Sequence, residues 1–308
     1  MPHKQPTENR QQTVSLILGS GGARGLAHIG IIRWLEEQGY QIQFVSGSSM
    51  GALIGGVYAA GKLDEFEAWF KKLSNTDILG LADIAWDRSG LIKGDKLFDA
   101  LKELIGDPDI EELAIPFTAV ATDIEDEKEV WLQTGSLLKA IRASISLPMI
   151  FTPYHWHDMT LIDGGVLNPM PIAPTFNQNN DLTIAVNLGG KPVFDGPSKA
   201  ESEAEVNEDS WLNDITGLFN SLKEHFLSNS KEKALEKTFN LDVYEVSNKA
   251  FDSMQNTIAR QKLAAYPPDI TIEIPRNACG MMEFTKVNEM IQLGYRMAAD
   301  TLPKETRR

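Results

Sequence analysis

The feature that most constrains this chain is a pair of strand–turn–helix units within its first 60 residues, each with a turn built of small residues. Val14–Leu18 is a short apolar run that ends in Gly19-Ser20-Gly21-Gly22. Beyond it, Leu26, Ile29, Ile32 and Leu35 recur at helical spacing between about Ala23 and Gln38, and Gly39 is a natural stop. Ile42–Val45 is a second apolar run, ended by Gly47-Ser48-Ser49-Met50-Gly51, and a helix of small residues follows to Ala60. Two such units in succession predict a parallel sheet, because a strand that returns in the same direction needs a helical crossover.

The same reading continues along the chain. Strands are predicted at Phe117–Thr122, Val130–Leu132, Leu161–Ile162, Thr183–Val186 and Ile270–Ile274, with an aromatic loop at Tyr154–His157. Helices are predicted at Asp64–Leu73, Asp95–Ile105, Ser136–Ala143, about Ala250–Ala264 and Phe284–Leu302. The chain thus divides into a polar tail (1–12), a catalytic core (13–190), an acidic loop with a helical insertion or cap (191–265), and a C-terminal strand and helix packed on the core (266–308). Within the insertion, Trp211, Ile215, Leu218, Leu222 and Phe226 mark one helical stripe. A helix packed on the core, a lid, a membrane-touching helix and a homodimer contact all fit such a stripe.

Composition removes several classes of function. With 308 residues, 42% of them hydrophobic, there is ample material for one large core. A net charge of −14 speaks against nucleic acid, which needs a basic face, and against bulk electrostatic docking on anionic lipid. The single Cys279 excludes an intramolecular disulfide and fits a reducing compartment. Met1–Gln12 contains no apolar segment, and runs such as Ile29–Ile32 fall far short of a bilayer span. A cytoplasmic protein, with peripheral membrane contact left open, is the expectation.

Three stretches carry chemistry. Gly47-Ser48-Ser49-Met50-Gly51 fits G-x-S-x-G between a strand and a helix, the setting of a nucleophile elbow in which Ser49 projects from the sheet edge. A plain strand–helix turn, with Ser48 or Ser49 as cap, competes with it. Gly19–Gly25 also joins a strand to a helix and leaves bare N–H groups at a helix N-terminus. A dinucleotide fingerprint would need glycine at Arg24 and an acidic residue near the second strand, where Gln41 and Gln43 stand. The other reading is an oxyanion hole, with Arg24 in either a surface salt bridge or an electrostatic role. The third stretch, Asp163-Gly164-Gly165, follows an apolar strand and reads either as a surface turn or as a carboxylate poised at a strand end.

A Ser-His-Asp triad is poorly supplied. His3 is in the tail, His28 on the first helix, His155 and His157 in the aromatic loop, and His225 on a polar stretch. Zinc spacing such as H-E-x-x-H is absent, and no metal or cofactor is expected. Asp163 is the better base, since desolvation in an apolar pocket would raise its pKa into a useful range.

Taken together, these stretches resemble the patatin-like phospholipases, especially their bacterial members, in motif order and separation. The surroundings agree as well: Leu26-Ala27-His28-Ile29-Gly30, Arg142-Ala143-Ser144 with Leu147-Pro148, and Asn168-Pro169 with Pro171. The resemblance spans about residues 14 to 190. It departs at Ser20, where the family often has a third consecutive glycine. It implies a three-layer α/β/α sandwich around a mostly parallel sheet, and hydrolysis of lipid acyl esters by a metal-free dyad of Ser49 and Asp163. Backbone N–H groups of Gly21, Gly22, Ala23 and Met50 would form the oxyanion hole, with Arg24, Gly47, Gly51, Gly164 and Gly165 in support. A short-chain esterase or thioesterase is the rival within the class, and a regulatory protein that kept the fold with little turnover is the rival outside it.

Overall fold

The computed structural model describes residues 11–81, 92–193 and 232–302, the last span by backbone alone as far as 245. The stripe from Trp211 to Phe226, the acidic residues before it, His3 and His225 lie outside the described residues.

The chain opens β1 (Thr13–Leu18), α1 (Ala27–Glu37), β2 (Gln41–Ser48) and α2 (Met50–Ala59). Helices α3 (Leu63–Phe70), α4 (Asn75–Leu81) and α5 (Asp95–Ile105) follow. Next come β3 (Phe117–Asp123), β4 (Lys128–Leu132), α6 (Leu137–Ser144), β5 (Tyr154–Trp156), β6 (Met159–Asp163) and β7 (Leu182–Gly190). Helix α7 (Glu232–Ala265), β8 (Ile270–Pro275) and α8 (Val287–Thr301) complete the described chain. The first helical segment starts as a 3-10 turn over Gly22–Leu26, so the helix begins later than residue spacing alone suggests. Tyr154–Trp156 is a strand rather than a loop, because it pairs antiparallel with β6 around the turn at His157.

Among the described residues, eight strands form one mixed sheet. β1 is central and parallel to β2 and β7, while β3 and β8 extend the parallel set on either side. β4 and β6 run antiparallel to β3. Alternation along β1 divides the core in two. Val14, Leu16 and Leu18 join the larger core with α1, α2 and α6, whereas Ile17 meets Ala185, Met170, Ile172 and Ala259 of α7 beneath the opposite face. Helices on both faces give the three-layer α/β/α sandwich. The crossing of α1 with α8 is unusually close: a Cβ on Gly30 would lie 1.9 Å from the Ile291 carbonyl oxygen, and one on Gly294 would lie 2.0 Å from that of Ala27.

Strand β3 sets the geometry of the functional end. β4 occupies one edge of β3 along Ala119–Asp123. Its other edge is shared: β2 pairs with Phe117–Val120, and β6 takes over at Ala121–Asp123. Ser48, the last residue of β2, therefore stands opposite Val120, and Asp163, the last of β6, stands opposite Ala121. Two residues more than a hundred positions apart are brought to one place by consecutive rungs of a single strand.

Candidate active site

Ser49 lies between β2 and α2 in a conformation that few L-residues adopt, with φ 56° and ψ −124°. Backbone strain of this kind costs on the order of 1–3 kcal/mol and needs support from its surroundings. Glycines provide the room: a Cβ on Gly47 would be 2.3 Å from the Gly51 carbonyl oxygen, and one on Gly51 would be 2.0 Å from that of Leu18. Hydrogen bonding holds the turn in place. The Ser49 amide donates to Ser144 Oγ (3.0 Å), which itself donates to the Val120 carbonyl (2.6 Å).

Ser49 Oγ donates to Asp163 Oδ2 at 2.5 Å, and the other carboxylate oxygen accepts from the Gly165 amide at 2.7 Å. Asp163 is fully buried, and burial pushes its carboxyl up to about 7 against the lowering effect of those two hydrogen bonds. Its turn is fixed from behind, where the Asp163 amide donates to the Ser146 carbonyl (2.9 Å) and Arg142 Nη1 donates to Ser146 Oγ (2.6 Å). The rest of the Arg142 fork donates to the Lys93 and Thr152 carbonyls. The surface-turn reading of Asp-Gly-Gly is thereby overturned.

The glycine loop borders the same opening. Gly22 has φ +57°, and a Cβ there would lie 2.3 Å from the Met281 carbonyl oxygen, so no other residue fits. Among the described residues, no protein group accepts from the amides of Gly21, Gly22 or Met50. Ala23 differs from the expectation, because its amide already donates to the Met281 carbonyl at 2.7 Å. Arg24 differs too: it is 3% exposed, not on the surface. Its Nε donates to the Gly21 carbonyl (3.1 Å), Nη1 to the Arg276 carbonyl (3.1 Å), and Nη2 to Asp252 Oδ1 of α7 (2.5 Å). In a trans peptide the C=O and the following N–H point opposite ways. Tying the Gly21 carbonyl to Arg24 therefore turns the Gly22 amide away from the guanidinium.

Ser49, Met50, Gly22 and Ser20 open onto a cleft of about 300 Å³. Its far wall is apolar, formed by Phe66, Trp69 and Phe70 of α3 with Leu97 and Leu101 of α5. Helix α7 closes another side with Phe251 and Gln255, two residues that no motif in the sequence singles out. The described histidines stand elsewhere. His28 is buried and its Nε2 lies 3.0 Å from the Gly19 carbonyl, with burial lowering its pKa to about 4, while His155 and His157 are exposed. Among the described residues no cluster of His, Cys, Asp and Glu could hold a metal ion, and no helix is long and apolar enough to cross a membrane.

Residues 16–176 match the family model described as patatin-like phospholipase. The chain belongs to this family. Within the patatin-like phospholipases, an uncharacterised NTE family protein of Mycobacterium tuberculosis is 39% identical across 94% of this chain and 91% of its own length. Neuropathy target esterase sws of Drosophila melanogaster is 31% identical over 59% of this chain, which corresponds to 13% of that protein. Lysophospholipase NTE1 of Saccharomyces cerevisiae is 28% identical over 58% of this chain and 11% of its own length. The motifs at Gly19–Gly25, Ser49 and Asp163 all fall inside the matched family region.

Proposed function

We propose that this protein is a serine lipid acyl hydrolase, of phospholipase A or lysophospholipase type, that works through a Ser49–Asp163 dyad and an acyl-enzyme. The observation that carries this reading is the 2.5 Å hydrogen bond from Ser49 Oγ to a fully buried Asp163, at the mouth of an apolar cleft. An aspartate of ordinary pKa is a feeble base toward a hydroxyl, whereas one raised to about 7 is matched to neutral pH.

In the proposed cycle, Ser49 Oγ attacks the ester carbonyl as its proton passes to Asp163 Oδ2. The developing oxyanion is met by the amides of Gly22 and Met50 with that of Gly21, each donor contributing about 3 kcal/mol. Ala23 is left out of this set because its amide is already donated. Collapse of the intermediate transfers the proton from Asp163 to the leaving alcohol, and the acyl chain remains on Ser49 along the aromatic wall. Water, deprotonated by the same carboxylate, then releases the fatty acid. The apolar wall favours a lipid acyl chain over the short chains of a simple esterase.

Labelling by a fluorophosphonate probe, with mass-spectrometric product analysis on mixed lipids, tests the proposal. The expected result is a single adduct on Ser49 and free fatty acid as product. Absence of both in folded protein would instead favour a regulatory member of the family with little turnover.

A further inference from the structure

The dyad accounts for one side of the cleft and leaves a polar side chain on the other. Gln255 of α7 is 5% exposed and lines the cleft with Ser49 and Ser20. Its Nε2 donates to Ser20 Oγ at 3.1 Å, and among the described residues its Oε1 has no donor. The carboxamide lies against the Asp-Gly-Gly turn: a Cβ on Gly165 would be 2.1 Å from Gln255 Nε2, 2.5 Å from Ser20 Oγ and 2.9 Å from Asp163 Oδ1. Gln255 therefore stands on the Asp163 side, away from the aromatic wall of α3 and α5.

That position has a chemical meaning. The base that takes the Ser49 proton must return it to the leaving alcohol, so the alcohol oxygen sits beside Asp163 when the ester bond breaks. Whatever else the alcohol carries is then nearest to Gln255. None of the described lining residues is Lys or Arg, and the lining carboxylate of Glu283 is engaged by the Gly280 amide (2.7 Å) and Lys286 (3.0 Å). Recognition on this side thus falls to neutral hydrogen bonding. A primary amide oxygen, held by the bond its nitrogen makes to Ser20, suits a hydroxyl donor.

We propose that Gln255 is a specificity-determining residue that accepts a hydrogen bond from a free hydroxyl on the alcohol part of the ester, as in a monoacylglycerol or lysolipid. This rests on the reading of Ser49 and Asp163 as an acyl-transfer dyad. Water positioning in the second half-reaction is the other task open to a side chain there, and kinetics separates the two. Two esters with the same acyl group form the same acyl-enzyme, so the ratio of their kcat/KM values depends on the alcohol alone.

The test uses monodecanoylglycerol and its analogue with both hydroxyls blocked as methyl ethers, on the full-length protein and on Gln255→Met. One hydrogen bond predicts that the unmodified protein favours the free glycerol ester by about threefold or more, and that Gln255→Met brings the ratio near one. A smaller preference in the unmodified protein overturns the proposal, and that arm does not depend on the variant folding. Preference retained in a folded Gln255→Met overturns it as well. Loss of turnover on both esters with the ratio preserved assigns Gln255 to water or to structure and also overturns it. If neither ester is hydrolysed in a Ser49-dependent way, the dyad reading itself has failed.

Discussion

The two walls of the cleft are built on different principles. On the sheet side, Ser49 and Asp163 are placed by backbone register, Ser48 opposite Val120 and Asp163 opposite Ala121 on the same strand. A slip of one residue would send both side chains to the wrong face, so the arrangement is all or none. On the helix side, Phe251, Asp252 and Gln255 reach the site from α7, whose Ala259 packs on the smaller of the two core clusters. A helix held by side-chain packing can shift by fractions of an ångström without unfolding the domain. On the proposed mechanism, turnover would depend on the sheet wall, and selectivity and fine adjustment of rate on the helix wall.

The largest effects should therefore come from the sheet wall. Ser49→Ala should abolish ester hydrolysis and probe labelling, and Asp163→Asn should lower kcat by about 10² to 10⁴, the usual worth of a general base, with mispositioning of the serine adding to it. Single exchanges of His155, His157 and His225 to Gln provide the control and should leave most activity. A folded histidine variant as inactive as Ser49→Ala would show that the base is not Asp163 alone.

A second effect follows from burial of the same carboxylate. With its carboxyl raised to about 7, Asp163 should produce an acid limb in the pH–rate profile as it is protonated below that value. Stability should move the other way. A carboxyl whose folded pKa lies above its unfolded one stabilises the fold fully below the unfolded value, and that contribution is lost as pH rises toward about 7. Asp163→Asn escapes this loss. Its stability relative to the unmodified protein should grow between pH 4 and 7 and then level off, by at most about 4 kcal/mol. Urea midpoints for both proteins at several pH values measure it, and a difference independent of pH would mean that Asp163 is not desolvated.

Much of the sheet wall was legible in the sequence, for a physical reason. A nucleophile at a strand end needs glycine where backbones nearly touch, as at Gly47 and Gly51, and such positions leave a local signature. The same holds for Gly22, whose φ and close approach to Met281 demand glycine. Local signatures do not report who takes a backbone hydrogen bond, and the Met281 carbonyl that takes the Ala23 amide lies more than 250 residues away in the chain. Nor do they report burial of a charge, and Arg24 read equally well as a surface residue. Strand β5 leaves no sequence pattern, because three residues with a turn at His157 are too short to show alternation. Gln255 and Asp252 had no signal at all, since a polar residue on a long helix usually faces solvent. They became functional candidates only when tertiary packing carried α7 to the end of the sheet.

The smallest of these effects is also the sharpest test of the comparison, because it asks whether the helix wall acts on the chemistry through the sheet wall. Asp252 is not among the residues that line the cleft. It accepts from Arg24 Nη2 at 2.5 Å, and Arg24 Nε in turn holds the Gly21 carbonyl. If this link orients the loop, Asp252 is a positioning residue for the Gly22 amide. Asp252→Ala should then lower kcat by about tenfold, equivalent to about 1.4 kcal/mol of transition-state stabilisation, with little change in KM, because the oxyanion forms only after substrate is bound. Asp252→Asn, which keeps an acceptor for Arg24, should recover most of the loss. A purely structural role predicts something else: reduced thermal stability with kcat per folded molecule intact. Changes confined to KM would place Asp252 with substrate binding beside Gln255. Either outcome would leave the two walls independent, and the glycine loop would then be held by the Met281 carbonyl and its own glycines without help from α7.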